Sequence, residues 1–141
     1  VFKSFKFFIA FESQNCTDYI TEKFWRSLDY DLIPIVLQPS KETYMRLAPP
    51  NSFIHAEDFG YDAEKLSKYL EEVYSNFNIY LSYMAWKNEY KSYYKAEDVE
   101  MMRICEMCYK INTSKYSKYY SHYKSVSNWF NAQCERNWNK T

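Results

Sequence analysis

Residues 5–37 read FKFFIAFESQNCTDYITEKFWRSLDYDLIPIVL, and this stretch predicts the fold. Its two ends, Phe5–Phe11 and Ile33–Leu37, are short apolar runs rich in aromatic and β-branched residues, which are typical of buried strands. A helical pattern lies between them. Because a strand, a helix and a second strand in this order normally form a right-handed parallel crossover, we expect an α/β fold.

The helix between the two strands is predicted to begin at Thr17 or Asp18, either of which is a suitable N-cap, and to end near Tyr30. Two stripes of side chains follow helical spacing. The apolar stripe consists of Ile20, Phe24 and Leu28. The polar stripe consists of Tyr19, Glu22, Lys23 and Arg26. Polar side chains therefore gather at the strand-to-helix junction, residues 11–23.

The chain after Leu37 predicts one further short strand, Ser52–His55, and otherwise helices. The predicted helices are Lys41–Leu47, a helical region that starts at Asp62, Ala96–Ile111, and Tyr123–Trp138. Residues 57–60 read as a turn and residues 115–124 as a loop. The predicted fold class is α/β, with a small parallel sheet first and helices afterwards.

Composition narrows the possible functions. The chain has 141 residues, 47% apolar and 21% aromatic, which is enough for a packed core. Its formal net charge is zero, so no basic surface indicates nucleic acid. Gly60 is the only glycine, which excludes a glycine-rich phosphate loop. The chain opens directly at a predicted strand without an initiator Met, and we expect it to be part of a longer protein.

The junction has the chemistry of an anion site. Ligands of open α/β sheets bind beyond the carboxyl ends of strands, and a helix start attracts phosphate. Lys23 would add a full positive charge against a diphosphate, while Glu12 and Glu22 suit sugar or ribose hydroxyls. The alternative is an ordinary solvated helix face held by pairs of charges one turn apart. Spacing alone leaves both interpretations open.

A resemblance to the α-1,3-fucosyltransferases, glycosyltransferase family ten, is carried by two runs: FIAFESQNCTDYITEKFWRSL and IPIVLQPSKETYMRLAPPNSFIHAEDF. The family signature is Phe, Glu-Asn-Ser, a short spacer, Asp-Tyr, a variable residue and Thr-Glu-Lys. A Pro-Val-Val-like strand and a Pro-Pro-x-Ser-Phe-Ile segment follow. The likeness covers Phe5 to about Trp86, with a weaker continuation to Asn128–Phe130.

The resemblance implies the Rossmann-like C-terminal half of a GT-B glycosyltransferase. Residues 1–95 would form a partial GDP-fucose-binding domain, and residues 96–141 a helical segment that packs on an N-terminal domain. The matching donor-binding positions are Glu12, Ser13, Tyr19, Glu22 and Lys23. By this resemblance Lys23 contacts the diphosphate and Glu22 the nucleotide or the fucose. Ser13 replaces the family's asparagine with a shorter side chain.

The implied reaction transfers L-fucose from GDP-fucose to a hydroxyl of N-acetylglucosamine in a glycan, in α-1,3 linkage and with inversion. In the resembled family the acceptor domain comes first in the chain, and this domain supplies the catalytic carboxylate. We therefore expect no catalytic residue in this chain and no transfer by the chain alone. The resemblance implies no tightly bound cofactor and no divalent metal. It also implies a type II Golgi membrane protein with a lumenal catalytic domain and an N-terminal anchor.

The four cysteines are Cys16, Cys105, Cys108 and Cys134. Cys105 and Cys108 form a CxxC, which without a second pair is weak evidence for zinc. In the resembled family this pair forms disulfides to the N-terminal domain, which makes both residues disulfide candidates. We expect Cys16 to be a free thiol, and Cys134 has no assigned partner.

Two other function classes stay open at this point. One is a degenerate, non-catalytic nucleotide-binding or interaction domain, and the other is a helical interaction module without a ligand. The sequence upstream of Val1 would distinguish the enzyme from the degenerate domain.

His55 is interpreted as a structural histidine.

Overall fold

The computed structural model describes residues 4–92, 96–113 and 125–134, and within them a parallel three-stranded sheet forms the centre. Its strands are β1 (Phe7–Ile9), β2 (Ile33–Val36) and β3 (Ile54–His55), in the spatial order β1-β2-β3. Phe7 is in register with Ile33, and Ile35 with both Ile9 and Ile54. The predicted parallel strand pair and the α/β class are confirmed.

Six helices lie in the described ranges: α1 (Glu22–Asp29), α2 (Lys41–Leu47), α3 (Ala63–Ser75), α4 (Phe77–Ser82), α5 (Ala96–Thr113) and α6 (Val126–Asn131). Short 3₁₀ turns occupy Ala56–Phe59 and Ala85–Asn88. The predicted loop 115–124 lies outside the described residues, as does the end of the helix predicted to reach Trp138. The helical region predicted from Asp62 begins there as α3, and the Asp62 side chain caps it by accepting two backbone N–H groups.

Apolar clusters lie on two sides of the sheet. The first joins β2 to α1 and α2 through Val36, Phe24, Leu28 and Tyr44. The second joins β2 and β3 to α3 and to the segment after α4, through Ile33, Ile54, Val73 and Tyr83. Burying a large apolar side chain stabilises the fold by roughly 1.5–3 kcal/mol, so Phe24 and Leu28 hold α1 against the sheet.

Strand β1 differs from the prediction of a buried strand. It pairs only with β2 and lies at the edge of the sheet formed by the described residues. Ile9 is 65% exposed, and Phe5 and Phe11 are exposed as well. An apolar run of this length does not reveal whether a strand has one neighbour or two.

His55 is the structural histidine that the sequence indicated. It is fully buried; its Nδ1 accepts the Glu57 N–H (3.1 Å), and its Nε2 donates to the Pro39 carbonyl (3.0 Å). A neutral imidazole satisfies both contacts, since a protonated one would have no acceptor for the Glu57 N–H. Burial lowers the pKa of His55 below its ordinary value, against the opposing effects of the Pro39 carbonyl and nearby Glu57 and Asp58.

We predict a stability loss on mild acidification that comes from His55. Its folded pKa is lowered, so the unfolded chain takes up the proton first, and stability falls as the pH drops below about 6.5. The loss is up to about 1.4 kcal/mol per pH unit. Urea unfolding at pH 7.5 and 5.5 measures it. The His55→Asn variant keeps an acceptor but cannot titrate, and an equal pH dependence in both proteins would contradict the assignment.

Candidate functional site

The junction between β1 and α1 is a loop that crosses the carboxyl end of the edge strand. The helix starts at Glu22, later than the predicted start at Thr17 or Asp18. Asp18 has a left-handed backbone (φ 60°), which a helical residue does not adopt, and its carboxylate pairs with Arg46 of α2. Thr21 is the residue that precedes the first turn.

Glu12 is the centre of the junction. Its side chain has no exposed area, and its carboxylate accepts the N–H and the hydroxyl of Thr21, both at 2.7 Å. It also accepts a hydrogen bond from the Lys23 ammonium at 3.1 Å. The Gln38 amide holds the backbone carbonyl of Glu12 at 2.7 Å. A buried carboxylate is stable here because every contact is to a donor or a positive charge.

Lys23 lies between this buried carboxylate and the solvent. Its ammonium contacts the Thr21 hydroxyl at 3.0 Å as well as Glu12, and Glu22 lies 3.9 Å away. The hydrogen bond that Lys23 donates to Glu12 raises the pKa of Lys23, and the charges of Glu12 and Glu22 add to the effect while burial opposes it. The ammonium has three N–H groups and two are engaged, so one is left for a ligand oxygen, and the Lys23 side chain is 33% exposed.

The other predicted donor-binding residues lie on the loop and at the start of α1. Glu22 opens α1, and its side chain is 56% exposed. Ser13 is exposed on the loop. Tyr19 precedes the helix, so the predicted helical stripe of Tyr19, Glu22, Lys23 and Arg26 is wrong in its first member. The Tyr19 ring packs edge-on against Phe130 of α6, with ring centroids 5.8 Å apart.

A disulfide joins the junction to the C-terminal part of the chain. Cys16 is bonded to Cys134, which corrects the expectation of a free thiol at Cys16. The backbone beside it forms an antiparallel bridge, in which the Thr17 N–H donates to the Gln133 carbonyl at 2.9 Å. Together with the Tyr19–Phe130 contact, the bond places α6 beside the loop.

Cys105 and Cys108 are free and exposed on α5. Every side chain described on this helix, from 101 to 113, is exposed. Exposed apolar residues on α5 are Met101, Met102, Ile104, Met107, Tyr109 and Ile111. No group of three or more His, Cys, Asp or Glu in the described ranges is placed to hold a metal ion.

A cleft of about 420 Å³ opens next to the junction. Sites for small molecules typically measure roughly 300–1,000 Å³. The cleft is lined by Asn15, Thr17, Leu37, Gln38, Pro39, Ser40, Thr43, Glu57, Tyr61 and Gln133. It follows the carboxyl ends of β2 and β3, and it shares Gln38 with the Glu12 network. This is where ligands of open α/β sheets bind.

A family model for the C-terminal part of glycosyltransferase family 10 (fucosyltransferase) matches residues 1–129. The chain belongs to this family. The chain is 38% identical to the 4-galactosyl-N-acetylglucosaminide 3-alpha-L-fucosyltransferase FUT5 of Hylobates lar over 130 residues, which cover 90% of the chain and 32% of that protein.

Two further family 10 relatives show the same extent of similarity. The human 3-galactosyl-N-acetylglucosaminide 4-alpha-L-fucosyltransferase FUT3 is 37% identical over 129 residues, 89% of the chain and 33% of that protein. The Mus musculus 4-galactosyl-N-acetylglucosaminide 3-alpha-L-fucosyltransferase 9 is 38% identical over 128 residues, with the same coverage. The chain thus spans about a third of the length of the curated relatives it matches. None of the helices described is long and apolar enough to span a membrane.

Sequence reasoning on this family 10 chain missed four contributors to the junction: Gln38, Phe130, Gln133 and Cys134. Each is far along the chain from the loop that it contacts, so no local pattern connects them. The even number of cysteines was the single available signal for the Cys16 bond.

Proposed function

We propose that this family 10 chain binds the GDP part of GDP-fucose at the junction and the neighbouring cleft. The Lys23 ammonium carries the proposal, because it is oriented by Glu12 and Thr21 and keeps one N–H for a ligand. A charged donor of this kind suits a diphosphate oxygen. The cleft that shares Gln38 with this network is of a suitable size for the nucleoside.

Other junction residues complete the proposed donor site. Glu22 has an exposed carboxylate close to Lys23 and accepts hydroxyls of the ribose or the fucose. Tyr19 offers its hydroxyl and ring from the loop, held by Phe130. Ser13 is exposed at the position of the family's asparagine, and its single hydroxyl makes one contact where an amide makes two.

We propose that the longer protein transfers L-fucose to a hydroxyl of N-acetylglucosamine in α-1,3 linkage, with inversion. The names of the 3-alpha relatives support this linkage, although one relative is a 4-alpha enzyme. Transfer requires a general base that deprotonates the acceptor hydroxyl. Glu12 is buried and fully engaged, which supports the proposal that an N-terminal acceptor domain supplies the base.

The proposed division of the chain places the donor site in residues 1–95 and a docking segment in residues 96–141. The exposed apolar side chains of α5 support an N-terminal domain as the surface that covers this helix. Cys105 and Cys108 would then form disulfides to that domain. The Cys16–Cys134 bond is consistent with a lumenal domain of a Golgi membrane protein, since disulfides persist in oxidising compartments.

Calorimetry with GDP and a transfer assay with radiolabelled GDP-fucose test the proposal together. We expect this chain to bind GDP weakly, with the same affinity in EDTA, and to transfer no fucose to an N-acetylglucosamine acceptor. Absence of GDP binding by a folded chain would exclude the donor site and favour the degenerate domain. Robust transfer would place the catalytic base within this chain.

A further inference from the structure

Glu12 has a role that differs from donor contact. Its side chain is completely enclosed, and its carboxylate is occupied by three donors: the Thr21 N–H, the Thr21 hydroxyl and the Lys23 ammonium. Its own backbone is fixed by the buried Gln38 side chain. A ligand that binds at the surface of the junction has no access to this carboxylate.

We propose that Glu12 is a positioning residue of the donor site, which orients the Lys23 ammonium so that its remaining N–H faces a diphosphate oxygen. Thr21 completes the arrangement. Its hydroxyl donates to Glu12 and accepts from Lys23, so two of the three ammonium hydrogens have fixed directions. The third direction follows from the tetrahedral geometry of the ammonium. This inference rests on the proposed binding of GDP.

A carboxylate next to Lys23 has two opposing effects on an anionic ligand. Its negative charge weakens the attraction of the site for phosphate, whereas its hydrogen bonds fix a flexible four-carbon side chain in one direction. If charge alone mattered, removing the carboxylate would tighten GDP binding. If orientation matters more, removing it weakens GDP binding. The direction of the change in GDP affinity therefore distinguishes the effect of charge from the effect of orientation.

Two variants separate charge from orientation. Glu12→Asp keeps the charge but is one methylene shorter, while its backbone stays fixed by Gln38. Glu12→Gln keeps the length but turns an N–H₂ group towards donors that need an acceptor. We expect both to bind GDP about fivefold more weakly, since about one oriented hydrogen bond is lost. Glu72 is exposed on α3, and the Glu72→Asp variant serves as the matched control. This variant should bind GDP like the unmodified chain.

Three readouts separate this role from a general loss of structure. Weak binding of guanosine, followed by NMR, should be unchanged in Glu12→Asp, because guanosine lacks phosphate. In a chain that already carries Lys23→Ala, adding Glu12→Asp should change GDP affinity by less than about twofold. The pKa of the Lys23 ammonium, followed by NMR titration, should be lower in both Glu12 variants. Tyr19 and Glu22 are the other groups that face the ammonium.

GDP binding that is unchanged or tighter in the folded variants would overturn the inference. So would additive effects of the Glu12 and Lys23 substitutions. If the unmodified chain does not bind GDP, the proposed function fails by itself, and the Lys23 titration then decides whether Glu12 orients the ammonium. An ammonium that titrates identically with and without the Glu12 carboxylate would show that Glu12 does not orient it.

Discussion

Replacing Lys23 with alanine is expected to weaken GDP binding by roughly 10- to 100-fold, because a hydrogen bond between an ammonium and a phosphate contributes about 1.5–3 kcal/mol. The Lys23 side chain is 33% exposed at the surface of the junction, where a diphosphate can reach it. Calorimetry at fixed ionic strength measures the effect. GDP affinity of the unmodified chain should also fall as salt is added, since the contact is electrostatic.

Removal of Lys23 also leaves the buried Glu12 carboxylate with only Thr21 as a partner, so stability must be measured alongside binding. Lys23→Arg retains the charge and should recover part of the affinity, although a planar guanidinium cannot reproduce the ammonium geometry. Lys68→Ala removes an exposed lysine from α3 and is the matched control. A folded Lys23→Ala chain that binds GDP normally would exclude the diphosphate assignment.

Loss of the Cys16–Cys134 disulfide is expected to lower the free energy of unfolding by roughly 2–4 kcal/mol. The bond joins residues 118 positions apart, so it removes many conformations from the unfolded chain. Urea unfolding of the Cys16→Ser/Cys134→Ser variant measures the loss. The reason for the large expected effect is the length of the closed loop.

The two exposed thiols of α5 provide the control for this prediction. The Cys105→Ser/Cys108→Ser variant should change the free energy of unfolding by at most about 0.5 kcal/mol, as is usual for exposed positions. Thiol labelling of the unreduced chain should modify two of its four cysteines. Labelling of all four, or equal stability of the two double variants, would contradict the disulfide.

Local sequence predicted much of the fold. The helix Lys41–Leu47 was predicted with the bounds that α2 has, because Pro49 and Pro50 follow it and stop it. A helical region was predicted from Asp62, and the Asp62 side chain caps the first turn of α3. These features depend on neighbours in the chain, and the pattern of the residues contains them.

The start of α1 could not be predicted in this way. Thr17 and Asp18 are good N-caps by residue type, yet the helix begins at Glu22. Asp18 pairs with Arg46 of α2, and Glu12 binds the N–H of Thr21. The first contact links the loop to α2 and the second closes the loop on itself, and together they outweigh the local preference for an earlier start.

The junction of residues 11–23 shows the same division. By itself the sequence determined a polar loop after a strand and, through its signature, membership of family 10. Only the tertiary structure decided that Glu12 is buried, that Lys23 has two fixed hydrogen bonds, and that Cys16 joins Cys134. The physical reason is that the conformation of the loop, which brings Glu12, Thr21 and Lys23 together, also depends on contacts with Gln38 and with residues 130–134. These residues lie far along the chain, and no pattern within the loop specifies them.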